Sequence, residues 1–171
     1  MGWDVRALVL TGGPAAGKST VGRLVAGERP LAAFIDVDDV RHLVVSGHAA
    51  PWEGAEGLRQ RRLGVRNGCA VAGNFLRDGI DVVIADVLTD ATAELYRELL
   101  PGVLILELVV EVGEAERRAG TRAAHLTAAE FRMLHERQGE FTVGDIQVDT
   151  TRLSVREVVA RVIEVWVSQN Q

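Results

Sequence analysis

The stretch TGGPAAGKST, residues 11–20, constrains the fold of this chain more than any other part of its sequence. Residues 12–19 fit the pattern G-x-x-x-x-G-K-[ST], after an apolar run at 5–11 and before a helical pattern at 18–28. In that context small residues let backbone N–H groups surround phosphate oxygens, and the helix N-terminus attracts negative charge. The sequence therefore predicts a phosphate-binding loop between a strand and a helix.

Lys18 is the only lysine among the 19 lysine and arginine residues of the chain. Its ammonium is a compact charge on a flexible stem that can reach the β- and γ-phosphates, whereas the planar fork of arginine suits bidentate partners. The hydroxyl of Ser19 is offered to Mg²⁺ in such loops. The residues predicted to bind the phosphates are Gly12, Gly13, Pro14, Ala15, Ala16, Gly17, Lys18, Ser19 and Thr20.

Short apolar runs alternate with amphipathic stretches along the rest of the chain. The predicted strands are 5–11, 31–39, 80–87, 103–112 and 145–151; the predicted helices are 18–28, 40–47, 56–78, 89–100, 113–122, 127–138 and 154–169. Strands that are apolar throughout indicate a parallel sheet covered on both faces. We therefore expect an α/β fold of three layers (α/β/α) with a five-stranded parallel sheet, formed by one domain over 1–171.

Charge and composition exclude several classes of partner. The formal net charge is −5, and no concentrated basic face is evident, so neither nucleic acid nor an anionic membrane is an expected partner. No apolar run approaches the roughly 20 residues of a membrane span, and the N-terminus lacks a basic region before a cleavage site. Cys69 is the only cysteine, which excludes a disulfide framework and a cysteine-based zinc site. The expected location is the cytoplasm.

An acidic motif, FIDVDD, ends the second predicted strand with Asp36, Asp38 and Asp39. Sites of parallel sheets lie outside the carboxyl ends of the strands, so Asp36 and Asp38 are expected to face the phosphate loop. Their i, i+2 spacing on a strand aims both carboxylates the same way. One would help to hold Mg²⁺ through water, and the other would accept a proton from an attacking hydroxyl. The alternative is that these acids cap a helix beginning near Val40.

Two further features suit the same chemistry. Asp86 ends the third apolar strand, where it is expected on the magnesium side; the alternative is a surface role at the strand end. Arg118 and Arg122 lie four residues apart in ERRAGTR and would share a helix face or flank a short lid at 115–125. There they would clamp the transferring phosphoryl group. The alternative for them, and for Arg117, is a solvated surface position.

Several classes of phosphate-loop protein are excluded. Guanine-specific switch proteins read their base with an Asn/Thr-Lys-x-Asp motif, which a chain with no second lysine cannot contain. Large motor and remodelling ATPases need a longer chain, and the SGGQ signature of transporter ATPases does not occur. A compact phosphate-loop domain with a second acidic motif indicates a small kinase.

Four segments, GGPAAGKS, VDD, VVIADVL and GDIQVDTTRLS, resemble the chloramphenicol phosphotransferase family, and more distantly the shikimate and gluconate kinases. The resemblance implies an adenylate-kinase-like fold, ATP and Mg²⁺ as cofactors, and transfer of the γ-phosphoryl group to a hydroxyl of a small molecule. It implies that Asp38 is the catalytic aspartate and Asp36 the magnesium-side acid. It also places Arg118 and Arg122 in the lid, and the pair Thr150-Thr151 near the adenine.

The acceptor is expected to bind in the region 38–66. Within it, residues 41–62 do not match the chloramphenicol enzymes. His48 and Trp52 are candidates to line the acceptor pocket, with a packed or solvated loop as the alternative, and the RQRR run at 59–62 is expected to be a solvated helix face. Two other functions remain open: a kinase of nucleotides or nucleotide sugars, including toxin-like members, and an ATP-binding module that regulates a partner.

Overall fold

A computed structural model of the chain describes residues 7–120, 127–140 and 142–169. Within these ranges five parallel strands form one sheet in the order β2-β3-β1-β4-β5. The strands are β1 (Ala7–Thr11), β2 (Ala32–Asp36), β3 (Asp81–Ala85), β4 (Leu104–Val109) and β5 (Ile146–Asp149). This arrangement confirms the predicted α/β fold with a five-stranded parallel sheet.

Helices connect the strands and cover both faces of the sheet. They are α1 (Lys18–Gly27), α2 (Val37–Arg41), α3 (Gly54–Arg77), α4 (Asp90–Leu99), α5 (Val112–Ala119), α6 (Ala128–Gly139) and α7 (Val155–Ser168). None of the helices in the described ranges combines the length and apolar character needed to span a bilayer.

The central strand β1 divides the core into two halves. Leu8 and Leu10 point to one side, into a cluster that includes residues of α1 and α7, whereas Val9 points to the other side, where α3 and α4 pack. All five residues of β1 are buried, since the strand has partners on both edges and helices on both faces. A strand buried on both faces has to be apolar throughout, which explains the continuous run in the sequence.

The segment after β2 differs from its prediction. The strand ends at Asp36 rather than at Asp39, and α2 begins at Val37. Asp36 is the N-cap of α2, where its Oδ1 accepts a hydrogen bond of 3.1 Å from the backbone N–H of Asp38. This bond satisfies a free donor of the first helical turn, so the chain enters the helix earlier than the apolar pattern indicates. The capping residue is thus Asp36, not Asp38 or Asp39.

The side-chain amide of Gln60, a buried residue of α3, bonds that helix to the connection that precedes it. Gln60 Nε2 donates to the carbonyl of Gly47 over 2.7 Å, and Gln60 Oε1 accepts from the N–H of Ala49 over 3.0 Å. The connection also passes close to the helix, since a Cβ at Gly57 would lie 2.1 Å from the carbonyl oxygen of Ala50. These contacts hold the connection between α2 and α3 against the first turns of α3.

Cys69 lies in α3 and packs into the core. Its side chain is removed from water, and burial raises the pKa of the thiol to about 12. Thiolate is the reactive form, so a thiol-reactive disulfide reagent should leave the native protein unmodified at pH 8. After addition of denaturant, one equivalent should react. Rapid stoichiometric reaction before unfolding would show that the packing around Cys69 opens readily.

Candidate active site

The loop between β1 and α1 has the backbone that a phosphate-binding loop requires. Gly12 and Gly17 have φ angles of 146° and 93°, which favour glycine strongly. A Cβ at Gly12 would also lie only 2.3 Å from the carbonyl oxygen of Leu108 on β4. The loop therefore follows this path because its first residue has no side chain.

Lys18 lies across the mouth of this loop. Its Nζ donates hydrogen bonds to the carbonyls of Gly12 and Gly13, at 2.9 and 3.0 Å. The N-cap of α1 is Gly17, so no side chain caps the first N–H groups of the helix. Those N–H groups, the helix dipole and one ammonium group together provide a site for an anion.

One hydrogen bond joins the phosphate loop to the acidic motif. Ser19 Oγ donates to Asp36 Oδ2 over 2.6 Å, while the other oxygen of Asp36 caps α2. Hydroxyl and carboxylate oxygens are hard ligands of the kind that Mg²⁺ accepts, usually with several waters and substrate phosphates completing its shell. In the described ranges no group of three or more His, Cys, Asp and Glu side chains is arranged to hold a metal ion. The pair suits an ion that takes few protein ligands.

Asp38 lies beside this pair and is held by Arg41. It occupies the first turn of α2, its side chain is 58% exposed, and it accepts a hydrogen bond from Arg41 Nη2 one turn later. The expectation that Asp36 and Asp38 extend from a strand in the same direction is wrong, because only Asp36 belongs to the strand. What the structure provides instead is a solvent-facing carboxylate with a fixed cationic neighbour.

Arg41 also reaches Asp86, which differs from its predicted environment. The Asp86 side chain is only 1% exposed, and Arg41 Nη1 lies 3.3 Å from its Oδ1. Tyr96 donates to Oδ2 over 3.0 Å, and the N–H of Val87 donates to Oδ1 over 2.8 Å. Burial raises the pKa of Asp86 to about 6, although Arg41 acts in the opposite direction. Neither the expected metal-facing position nor the alternative surface position describes this enclosed carboxylate.

Sequence reasoning missed Arg41 and Tyr96, which connect Asp86 to the site. A signal for Arg41 existed: it stands three residues after Asp38, the spacing at which side chains of a helix meet. An arginine buried against α3 needs acidic partners. Tyr96 had no local signal, because it contacts Asp86 only through the packing of α4 on the sheet.

The RQRR run is not a uniformly solvated face. Arg59 is exposed and pairs with Glu56, as expected for such a face. Arg61, by contrast, is half-buried and donates to the carbonyl of Val87 over 3.0 Å, beside Asp86. Its burial lowers the pKa of the guanidinium, and its Nε has no hydrogen-bond partner among the described residues. The structure therefore brings Arg61 to the end of β3, which sequence reasoning did not predict.

At the opposite edge of the site, Arg118 is bonded to Thr150. Its guanidinium donates to Thr150 Oγ1 over 3.0 Å and to the Thr150 carbonyl over 2.7 Å, and Thr150 is itself buried. Thr151 Oγ1 accepts from the N–H of Glu111 over 3.1 Å. The predicted lid arginine thus contacts one of the two predicted adenine-side threonines, Thr150, where β5 ends. Arg122 lies outside the described residues.

The remaining candidates lie on the connection between α2 and α3. His48 is exposed, and its ring centroid lies 4.9 Å from that of His42. Trp52 is about half exposed. Both lie on the surface of the expected acceptor region, and the structure supplies no contact that assigns either one to a pocket.

Gly64 of α3 gives a test of how Arg41 is held. A Cβ at this position would lie 2.7 Å from Arg41 Cγ, near the backbone end of that buried side chain, so Gly64→Ala should displace Arg41 from both of its carboxylates. We expect a loss of about 1–3 kcal/mol in the free energy of unfolding, as for other overpacked sites. The control is Gly73→Ala in the same helix, where the added Cβ would lie 3.4 Å from Arg77 Nη1, the flexible end of that side chain.

For Gly73→Ala we expect a gain of about 0.5–1 kcal/mol, because alanine is the better helix former. Urea unfolding of the two variants and the wild type checks both values. Equal stabilisation by both substitutions would contradict the role of Gly64 in seating Arg41.

Comparison with known proteins adds evidence about the fold. Neither protein-family models nor curated protein sequences match the chain. Solved structures do: shikimate kinase from Acinetobacter baumannii in complex with shikimate has a TM-score of 0.69 at 20% identity, over 96% of this chain and 94% of that one. The fold is that of the small phosphate-loop kinases.

Two other structures with this kinase fold are similar over nearly their whole length. A sugar kinase from Janibacter sp. has a TM-score of 0.68 at 19% identity, over 96% of this chain and 94% of its own. The APS kinase of Mycobacterium tuberculosis, in complex with AMPPNP and APS, has a TM-score of 0.65 at 19% identity, over 96% and 98%. At these identities the similarity establishes the small-kinase fold.

Proposed function

We propose that this protein is an ATP-dependent phosphotransferase that moves the γ-phosphoryl group to a hydroxyl of a small molecule. The observation that carries the proposal is the 2.6 Å hydrogen bond between Ser19 and Asp36. This bond joins the phosphate loop, which carries Lys18, to the acidic motif. The motif also contains a second carboxylate, Asp38, which is exposed. Phosphoryl transfer needs mainly positioning and charge stabilisation, which such an arrangement can supply.

In the proposed mechanism each group has a separate task. The loop N–H groups and Lys18 bind the β- and γ-phosphates. Ser19 and Asp36 would hold Mg²⁺, which supplies neutralisation of the charge that develops on the phosphates. Asp38 accepts the proton of the attacking hydroxyl or orients that hydroxyl. Arg41 keeps Asp38 in place and is itself held by Asp86, so Asp86 has a supporting role in this proposal.

The lid and the adenine side complete the proposed site. We assign Arg118, with Arg122, to the transferring phosphoryl group, and Thr150 with Thr151 to the adenine side of ATP. The bonds from Arg118 to Thr150 support a link between the lid and the adenine side, since a movement of α5 would be transmitted to the end of β5. For charge stabilisation Arg118 would have to exchange these bonds for a phosphoryl oxygen.

The acceptor is proposed to be a hydroxylated small molecule bound over the region 38–66. Chloramphenicol is the first candidate, because the sequence segments resemble its phosphotransferases. Sugars and shikimate come next, because a sugar kinase and a shikimate kinase share the fold. APS is included to represent nucleotide acceptors.

The proposal is tested by ADP release from ATP·Mg²⁺ with each of these compounds in turn. We expect slow ADP release without an acceptor and a strong increase with one of the hydroxylated compounds. The Lys18→Ala variant should not show this increase. Stimulation by APS or another nucleotide alone would reassign the protein as a nucleotide kinase. ATP binding without ADP release under any condition would contradict catalysis and indicate a regulatory ATP-binding module.

A further inference from the structure

Two histidines of the connection between α2 and α3 lie side by side. The ring centroids of His42 and His48 are 4.9 Å apart, and the ring planes are inclined by 35°. Both residues are exposed. Among the described residues no side-chain hydrogen bond involves either imidazole, so their ring nitrogens remain available to a ligand. We call these two residues the histidine pair. The proposed phosphoryl transfer gives the pair no task.

The backbone that carries the histidine pair is held by hydrogen bonds on both sides. His42 is the C-cap of α2, and its N–H donates to a carbonyl in the first turn of that helix over 3.0 Å. His48 stands between Gly47 and Ala49, and the buried side-chain amide of Gln60 bonds to both of these neighbours. Rotation of the two side chains is therefore sufficient to aim their nitrogens, and the backbone does not need to move.

The separation of the two rings matches that of imidazoles that share one metal ion. A Zn²⁺–N bond is about 2.0–2.1 Å long and the ring centroid lies about 1.15 Å beyond the nitrogen, so each centroid would lie about 3.2 Å from the ion. At the tetrahedral angle of zinc sites, two such centroids are about 5.2 Å apart. The 4.9 Å between the rings of the histidine pair differs from this by a few tenths of an ångström. One ion can therefore contact both rings.

The ligand atoms of the histidine pair select the kind of ion. Imidazole nitrogen suits Zn²⁺, Cu²⁺ and Ni²⁺, whereas Mg²⁺ prefers oxygen ligands and keeps several of its waters. A structural zinc site has four protein ligands, and a catalytic zinc site has three. The described residues add no third His, Cys, Asp or Glu side chain to the pair, so water or an oxygen of a bound molecule would complete the shell. The pair fits an open site for an exchangeable transition-metal ion.

We propose that His42 and His48 form a binding site for a divalent transition-metal ion, represented by Zn²⁺, which joins the end of α2 to the connection that follows it. The site is separate from the proposed Mg²⁺ position, where Ser19 and Asp36 offer only oxygen ligands. A bound ion closes residues 42–48 into a loop within the region 38–66, and thereby restrains that part of the surface. Binding of the ion does not depend on the proposed kinase activity.

The test is calorimetric titration of the tag-free full chain with Zn²⁺ alone at about pH 7.5, where free histidine is neutral. We expect one ion per chain, bound at least about tenfold more weakly by both His42→Ala and His48→Ala, because even the loss of a group that only supports a ligand costs about 10–100-fold. The matched control is Ser46→Ala, an exposed position between the two histidines, which should bind Zn²⁺ as the wild type does. Millimolar Mg²⁺ should not displace the Zn²⁺.

Limited proteolysis tests whether the ion restrains the connection. Leu43 lies between the two histidines and is 76% exposed, so chymotrypsin should cleave after it. Zn²⁺ should slow this cleavage in the wild-type protein and leave it unchanged in His48→Ala. The proposal would be overturned by equal Zn²⁺ binding in both histidine variants, by no binding in the wild type, or by cleavage that Zn²⁺ does not slow. None of these results would bear on the kinase proposal, because neither assay contains ATP or an acceptor.

Discussion

Lys18→Ala should reduce phosphoryl transfer by at least about 10²–10³-fold, the loss seen when one preorganised charge-stabilising donor is removed. The protein should remain folded, because the Lys18 ammonium bonds to loop carbonyls and the residue is outside both core clusters. Lys18→Arg should also be severely impaired, since a planar guanidinium does not fit where a compact ammonium lies between two carbonyls. Turnover with the acceptor and the urea midpoint are the two measurements.

The control for this experiment is Arg161→Ala, which removes an exposed cation of α7 that pairs with Glu164. It should leave turnover unchanged, because its charge is remote from the loop and screened by solvent. Wild-type turnover in a folded Lys18→Ala protein would refute the role of the only lysine. A loss of folding in that variant would instead show that the loop is held together by the lysine.

Asp38→Asn should leave ATP affinity intact and reduce turnover by about 10²–10⁴-fold, the usual contribution of a general base. A loss near the lower end is consistent with a loose transition state that depends mostly on positioning. The cap of α2 is Asp36, so this substitution removes the acid without removing the helix cap. Asp39→Asn, at the exposed neighbouring position, is the matched control and should retain full turnover.

Asp36→Asn distinguishes the proposed metal-binding role of Asp36 from the proposed role of Asp38 as the base. Asparagine still caps a helix, so α2 should persist, but one hard oxygen ligand next to Ser19 becomes a neutral amide. The expected result is a higher Mg²⁺ concentration for half-maximal activity, with near-normal turnover at saturating Mg²⁺. If Asp38→Asn turned over at the wild-type rate with the true acceptor, the base would have to be sought elsewhere in the site.

Local signals in the sequence predicted the sheet and the loop well. The apolar runs fixed the number of strands because strands buried on both faces have no polar side to interrupt them. The phosphate loop was recognisable because its glycines and its lysine are required by backbone geometry and charge at fixed spacing. The end of β2 was misplaced by three residues, because side-chain capping by Asp36 prevailed over the strand-like apolar pattern.

The contacts around Asp86 could not be predicted in the same way. Asp86 looks like a strand-end acid, and only the packing of α2 and α4 on the sheet reveals that Arg41 and Tyr96 enclose it. The position of Arg61 likewise differs from the solvated face that the RQRR run predicts. Its neighbour Gln60 anchors the connection between α2 and α3. These are contacts between distant segments, and no periodicity in the sequence encodes them.

The most direct test of the central claim is to follow the γ-phosphoryl group itself. With ATP labelled in that group, Mg²⁺ and the acceptor that most stimulates ADP release, we expect the label on a hydroxyl of the acceptor, in amounts equal to the ADP formed. Lys18→Ala and Asp38→Asn should transfer little or none in the same time. Label found only in inorganic phosphate, with the acceptor unmodified, would contradict the account and identify hydrolysis rather than phosphoryl transfer to an alcohol.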